Sequence, residues 1–204
     1  EAEAEAEEEE ADEEGVSTRY IPALIAAADL LGALASGMTL KFFPLFFLDE
    51  CGLRPVAVNV LQALAPYGIA GATVVAQRVS VGIGRVQTCL TLRLLDIAGL
   101  VGMAALPVTG RWLWLLAAVH VVRMAVANCG RPLTRSILMD SVAKRHRGKW
   151  NSVESVKSFS WSGSAVLGGV LIERWGYRNT FLITACIKGL AWLPLVPLLR
   201  IVPR

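Results

Sequence analysis

From residue 21 onward the chain repeats one element six times, an apolar run long enough to cross a hydrocarbon layer. A bilayer core of ~30 Å needs about 20 apolar residues at a rise of ~1.5 Å each. The runs are Ile21–Leu48, Val56–Ala76, Val86–Val108, Trp112–Met139, Asn151–Leu171 and Asn179–Leu199. Short segments with turn and charge signals separate them: DECGLRP, QRVSVGIG, TGR, DSVAKRHRGKW and ERWGYR. No polar face runs the length of the second, third or sixth run, which excludes a soluble bundle of amphipathic helices. The expected fold is therefore all-α, a polytopic membrane protein with a six-transmembrane-helix bundle over residues 19–204. The first and fourth runs are the longest, and Pro44 predicts a kink in the first.

Composition agrees. Of 204 residues 54% are hydrophobic and the mean hydropathy is +0.53, against ~45–50% apolar in a soluble domain. The net charge of +3 is spread over the gaps, without the basic stripe of a nucleic-acid binder. Cys51, Cys89, Cys129 and Cys186 form no CxxC pair. HExxH, paired metal-ligand motifs and phosphate loops are absent too, so neither metal nor cofactor is expected. Ser160-Trp161-Ser162-Gly163 lacks the first glycine of a GxSG pattern, and an enzyme is not expected.

Residues 1–18 open with EAEAEAEEEEADEEG, too polar and self-repelling to pack, and read as a disordered acidic tail or a central cytoplasmic linker. The start at Glu1 without a basic n-region excludes an ordinary signal peptide and suggests a chain that begins partway through a longer product. With both termini on one side, that side holds Arg19, Arg78, Arg85, Lys144, Arg145, Arg147, Lys149, Arg200 and Arg204, while the other holds Arg54, Arg111, Arg174 and Arg178. The excess predicts that both termini and the KRHRGK loop are cytoplasmic. That loop could also bind anionic lipid headgroups.

Ionised groups inside the runs need partners or a wet cavity, because a mid-bilayer charge costs at least ~2.5–3.5 kcal/mol. Asp96 in the third run and Arg123 in the fourth lie at matching depths, roughly 14–16 Å in from opposite ends. An Asp96–Arg123 pair between neighbouring helices is expected, with Arg93 one turn from Asp96. Lys188, midway along the last run, has no partner legible in the sequence. Glu154 and Lys157 can satisfy each other at i,i+3, and Gly163, Gly168 and Gly169 suit close helix packing.

Three stretches together resemble the C-terminal six helices of the major facilitator superfamily. DLLGALASGMTLKFFPLFFLDECGL (Asp29–Leu53) is similar to its seventh helix. The loop AQRVSVGIGRVQ (Ala76–Gln87) resembles its signature between an even helix and the next odd one, although Gln77 stands where that signature has an acid. RPLTRSILMDSVAKRHRGKWNSVESVKSFSWSGSAVLGGVLIERWGYRNTF (Arg131–Phe181) resembles the tenth helix, basic loop, eleventh helix and following turn, notably in members from plants, algae and related eukaryotes.

The resemblance implies half of a twelve-helix major facilitator fold and secondary active transport of a small solute or ion by alternating access. The chain would then be the C-terminal half of a longer transporter, working with a missing N-terminal six-helix half or a homodimer partner. The competing reading is a non-transporting six-helix membrane subunit or receptor-like protein. The resemblance also makes Asp29 and Lys41 candidates for ion or anion handling on a pathway-lining helix. His120, Asn128, Arg131 and Arg135 share a face that would border the central cavity, with Asn128 the preferred contact and His120 read as a helix-packing residue rather than a proton carrier. Ser158 and Trp161 on the next helix are further candidates for that pathway.

Overall fold

The computed structural model describes residues 22–140 and 147–196, and for 147–151 and 153 the course of the backbone alone. Expectations for the acidic tail, for the side chains of the KRHRGK loop and for Arg19, Arg200 and Arg204 fall outside the described residues. Every regular element among the described residues is helical.

Helix α1 spans 22–40 and stops where Pro44 dictates. Pro44 has no N–H to give the Leu40 carbonyl, and its ring crowds that oxygen. The chain turns at Lys41 and Phe42, with the Phe42 N–H donating to Thr39 O at 2.9 Å, and resumes as α2, Phe43–Asp49. Helix α3, Pro55–Ile83, starts at a proline whose missing N–H would have been unpaired there anyway. It continues seven residues past the end read from hydropathy. The segment from Gln77 to Ile83 contains no proline, so polar residues extend the helix instead of ending it. The turn is the single residue Gly84, at φ 110°, a conformation that favours glycine. Helix α4, Arg85–Ala105, follows at once.

The fourth apolar run, expected as one helix, divides into α5, Trp112–Cys129, and α6, Arg131–Asp140. Pro132 cannot donate to the Asn128 carbonyl, which places the joint at Gly130. The final helical stretch, Arg147–Trp192, is broken at Gly176, where φ is 78° and ψ is 171°. Its arms are called α7 (147–175) and α8 (177–192), and a 3-10 turn at Leu193–Leu195 closes the described chain.

Side-chain contacts give the direction of each packed pair. On α8, Arg178 and Lys188 meet Ala104 and Asp96 of α4, so these two helices run antiparallel. Asp29 and Gly37 of α1 meet Lys157 and Trp161 of α7, so that pair runs parallel. Ile25 and Leu195 share one apolar cluster, which brings the two ends of the described chain to the same end of the bundle.

That cluster, with Val86, Leu90, Leu133 and Ile137, fills one end. A second, built on Phe43, Phe46, Phe47, Leu100, Leu116 and Phe181, fills the other. Outside, large apolar side chains such as Val60, Leu64, Val75, Val122, Val166 and Leu167 are exposed. Such a surface is what a hydrocarbon solvent calls for and water does not. Four stretches, Pro22–Asp49, Pro55–Ile83, Arg85–Ala105 and Trp112–Asp140, are long and apolar enough to cross a membrane.

Candidate functional site

The most buried ionised side chains lie between the two apolar clusters, and α4 supplies their centre. Asp96 is one turn above Leu100 of one cluster and between one and two turns below Leu90 of the other. Its Oδ1 accepts from Arg123 Nη1 at 3.2 Å and its Oδ2 from Lys188 Nζ at 2.5 Å. The structure thus brings Asp96 and Arg123 together, and adds Lys188 from α8. These side chains are only 7%, 3% and 12% exposed, so the group is shielded from solvent.

Arg123 fits because its neighbours are shaped for it. Its stem lies against Gly99 of α4, where any Cβ would collide with it. Its guanidinium sits 4.5 Å from the Phe43 ring centroid, a geometry worth ~0.5–2 kcal/mol. Among the described residues Arg123 Nε has no hydrogen-bond partner.

A second network lies one turn along α4. Arg93 Nη2 donates to Asp29 Oδ1 at 2.6 Å, and Lys157 Nζ lies 3.6 Å from Asp29 Oδ2 and 2.7 Å from Glu154. Asp29, Arg93, Lys157 and Glu154 tie α1, α4 and α7 together with balanced formal charge.

Against the buried triad lies a polar cavity of about 40 Å³, room for a few water molecules. Arg123, Lys188 and Arg131 line it. Ser36, Thr39, Asn128 and Trp161 complete its polar wall. Asn128 and Arg131, three residues apart across the joint at Gly130, reach one space as their shared helical face predicts. Asn128 Nδ2 donates back to Met124 O at 2.8 Å, leaving its amide oxygen facing outward from the helix backbone.

Over 177 residues, 84% of its length, the chain is 25% identical to a Deinococcus radiodurans protein named "Putative sugar efflux transporter". The chain is an integral membrane protein similar to a transporter. It spans about half of that relative, the match covering 44% of the relative's length. No family model matches the chain.

Of the sequence candidates, Asn128, Arg131 and Trp161 share the cavity wall. Lys41 is exposed at the joint between α1 and α2, its ammonium 5.2 Å from the Trp161 ring centroid. Asp29 lies in the neighbouring ion-pair network and Ser158 is exposed, and neither lines this cavity. His120 takes the packing role expected of it. It is 1% exposed, with Phe43 and Phe47 rings at 4.8 and 5.1 Å. At its depth the aromatic residues of α2 occupy the space that opens as the cavity farther along.

Sequence reasoning missed two further features, the part of Gly37 in a glycine seam and a staple at the opposite end. Gly168, expected to suit close packing, and Gly37 let α1 and α7 touch backbone to backbone, since a Cβ on either would strike the Met38 or Trp161 carbonyl. Gly163, expected to pack in the same way, meets nothing. At the other end, Tyr177 donates to Asp49 at 2.7 Å, and Arg178 donates through Nη2 to Leu106 O at 3.0 Å with its Nε 3.6 Å from Glu50 Oε2. This staple joins the ends of α2 and α4 to the start of α8. Burial, then the Glu50 charge, raise the adjoining Cys51 thiol to about 11, partly offset by Arg178.

Proposed function

We infer that the chain is the six-helix half of an alternating-access secondary transporter, and that the cavity beside Asp96, Arg123 and Lys188 is its solute site. The carrying observation is a polar, multiply charged cavity midway between two apolar clusters, in a bundle whose outer surface is apolar. Charges at that depth are expensive and mark solute or ion pathways. A midplane site on one half of a pseudo-symmetric carrier is the arrangement rocking-bundle transport requires.

On this reading α7 and α8 are the fifth and sixth spans, residues 19–204 form the bundle, and residues 1–18 are a tail or linker. The breaks at Gly84 and Gly176 and the meeting of Ile25 with Leu195 support six crossings and two termini on one side. The excess of basic residues makes that side cytoplasmic. The other six helices come from a longer chain or a second copy, in keeping with the share of the relative that is matched. The relative's printed name points to a sugar-sized solute, and the Trp161 ring beside the Asn128 amide suits one. Asn128, Arg131 and Trp161 contact the solute, with Lys41 at the rim, and Asp29 couples α1 to α4 and α7 during the rocking motion.

Uptake by proteoliposomes over a panel of small solutes, with and without a pH gradient, tests this reading. Asn128→Ala and Asp29→Asn should each reduce the measured flux. If both left every flux unchanged, the site assignment would be wrong.

A further inference from the structure

The charge on the cavity wall has one sign. Arg123, Arg131 and Lys188 line it, and among the described residues no carboxylate does. Asp96 stands behind the wall and touches Arg123 and Lys188 together, so it balances one of the two. The next carboxylate, Asp29, is held by Arg93 and Lys157. Arg131 makes no ion pair among the described residues. The cavity therefore faces a formal surplus of positive charge that no carboxylate among the described residues balances, and an unbalanced charge is costly at the depth of Arg123 and Lys188. Arg123 lines the cavity while only 4% exposed, so its charge cannot be relieved by bulk solvent.

We propose that the cavity takes an acidic, sugar-sized solute, a polyhydroxylated molecule carrying a carboxylate or a phosphate. The cavity volume suits the acid group, which Arg123, Lys188 and Arg131 hold. The hydroxylated body extends through the mouth, past half-buried Trp161 and exposed Arg131, with Asn128 bonding a hydroxyl. The proposal deepens the transport reading and rests on it.

The test is flux into proteoliposomes carrying the full-length protein, with the membrane potential clamped, for glucose, glucuronate and glucose 6-phosphate. At least one acidic sugar should move about tenfold faster than glucose, the factor a charge-assisted hydrogen bond contributes. Glucuronate against glucose 6-phosphate then tells carboxylate from phosphate. Arg131→Gln, at an exposed position, and Lys188→Met should each cut the acidic flux about tenfold. Glucose moving as fast as both acids would overturn the acidic-solute proposal and leave the transport reading standing. No flux for any of the three, from protein that elutes as a single species in detergent, would overturn the acidic-sugar proposal, and no flux across the wider solute panel as well would overturn the transport reading.

Discussion

Lys188 on α8 sets its ammonium 2.5 Å from the Asp96 carboxylate on α4, across 92 positions of sequence. Together with Arg123 it makes one buried carboxylate the common partner of two cations from two other helices.

Asp96→Asn is expected to be the most damaging change in the molecule, because it strands Arg123 and Lys188 together. Breaking a buried pair from one side costs about 3–5 kcal/mol. Lys188→Met removes the excess cation and leaves Asp96 with Arg123, so its loss of stability should be clearly smaller. Thermal unfolding in detergent ranks the two, and an equal or reversed order would show that Asp96 does not hold both cations.

The glycine seam predicts a contrast between neighbours. Gly168→Ala drives a methyl group into the Met38 carbonyl, and overpacking of this kind costs about 1–3 kcal/mol. Gly163→Ala, five residues earlier on α7, meets open space and should be neutral. Gly99→Ala should resemble Gly168→Ala, since it displaces Arg123. Melting temperatures of the three variants check the order.

Cys51 should react slowly with a water-soluble maleimide. Its thiol is raised from 9.0 to about 11, so near neutral pH it holds roughly a hundredfold less thiolate than an ordinary cysteine. The rate should climb as pH approaches 11, speed up in Glu50→Gln and slow in Arg178→Gln. Because the folded-state value is raised, whatever stability the protonated thiol contributes is whole below pH 9 and fades as pH rises towards 11. Mass spectrometry of the labelled protein across a pH series reads the rate.

Topology is open to a direct check. A cysteine placed at exposed Ser152 should react with impermeant reagent from the cytoplasmic side alone, and one at exposed Thr109 from the opposite side. Reaction of both from one side would break the alternation of crossings.

Much of the helical plan was legible residue by residue. Apolar length is a local property, and so are the breaks that Pro44 and Pro132 impose, although only the first was read from the sequence. The Asp96–Arg123 meeting followed from equal depths at a constant rise per residue. The α3 end was misread because polarity was taken for a stop signal, whereas a helix stops for want of backbone partners, here at Gly84. The packing role of His120 was legible because it stands alone in an apolar stretch, but that Phe43 and Phe47 cover it was not, since a helical face says nothing of what covers it at each depth.

The amino-acid sequence by itself determined the solvent this protein prefers and where its helices turn, since transfer free energy and backbone geometry act through near neighbours. Tertiary structure alone decided that Lys188 shares Asp96 with Arg123, that Gly37 and Gly168 face each other's helix, and that three cations line one cavity. Those outcomes depend on the rotation and pairing of helices far apart in the chain, which no local pattern encodes.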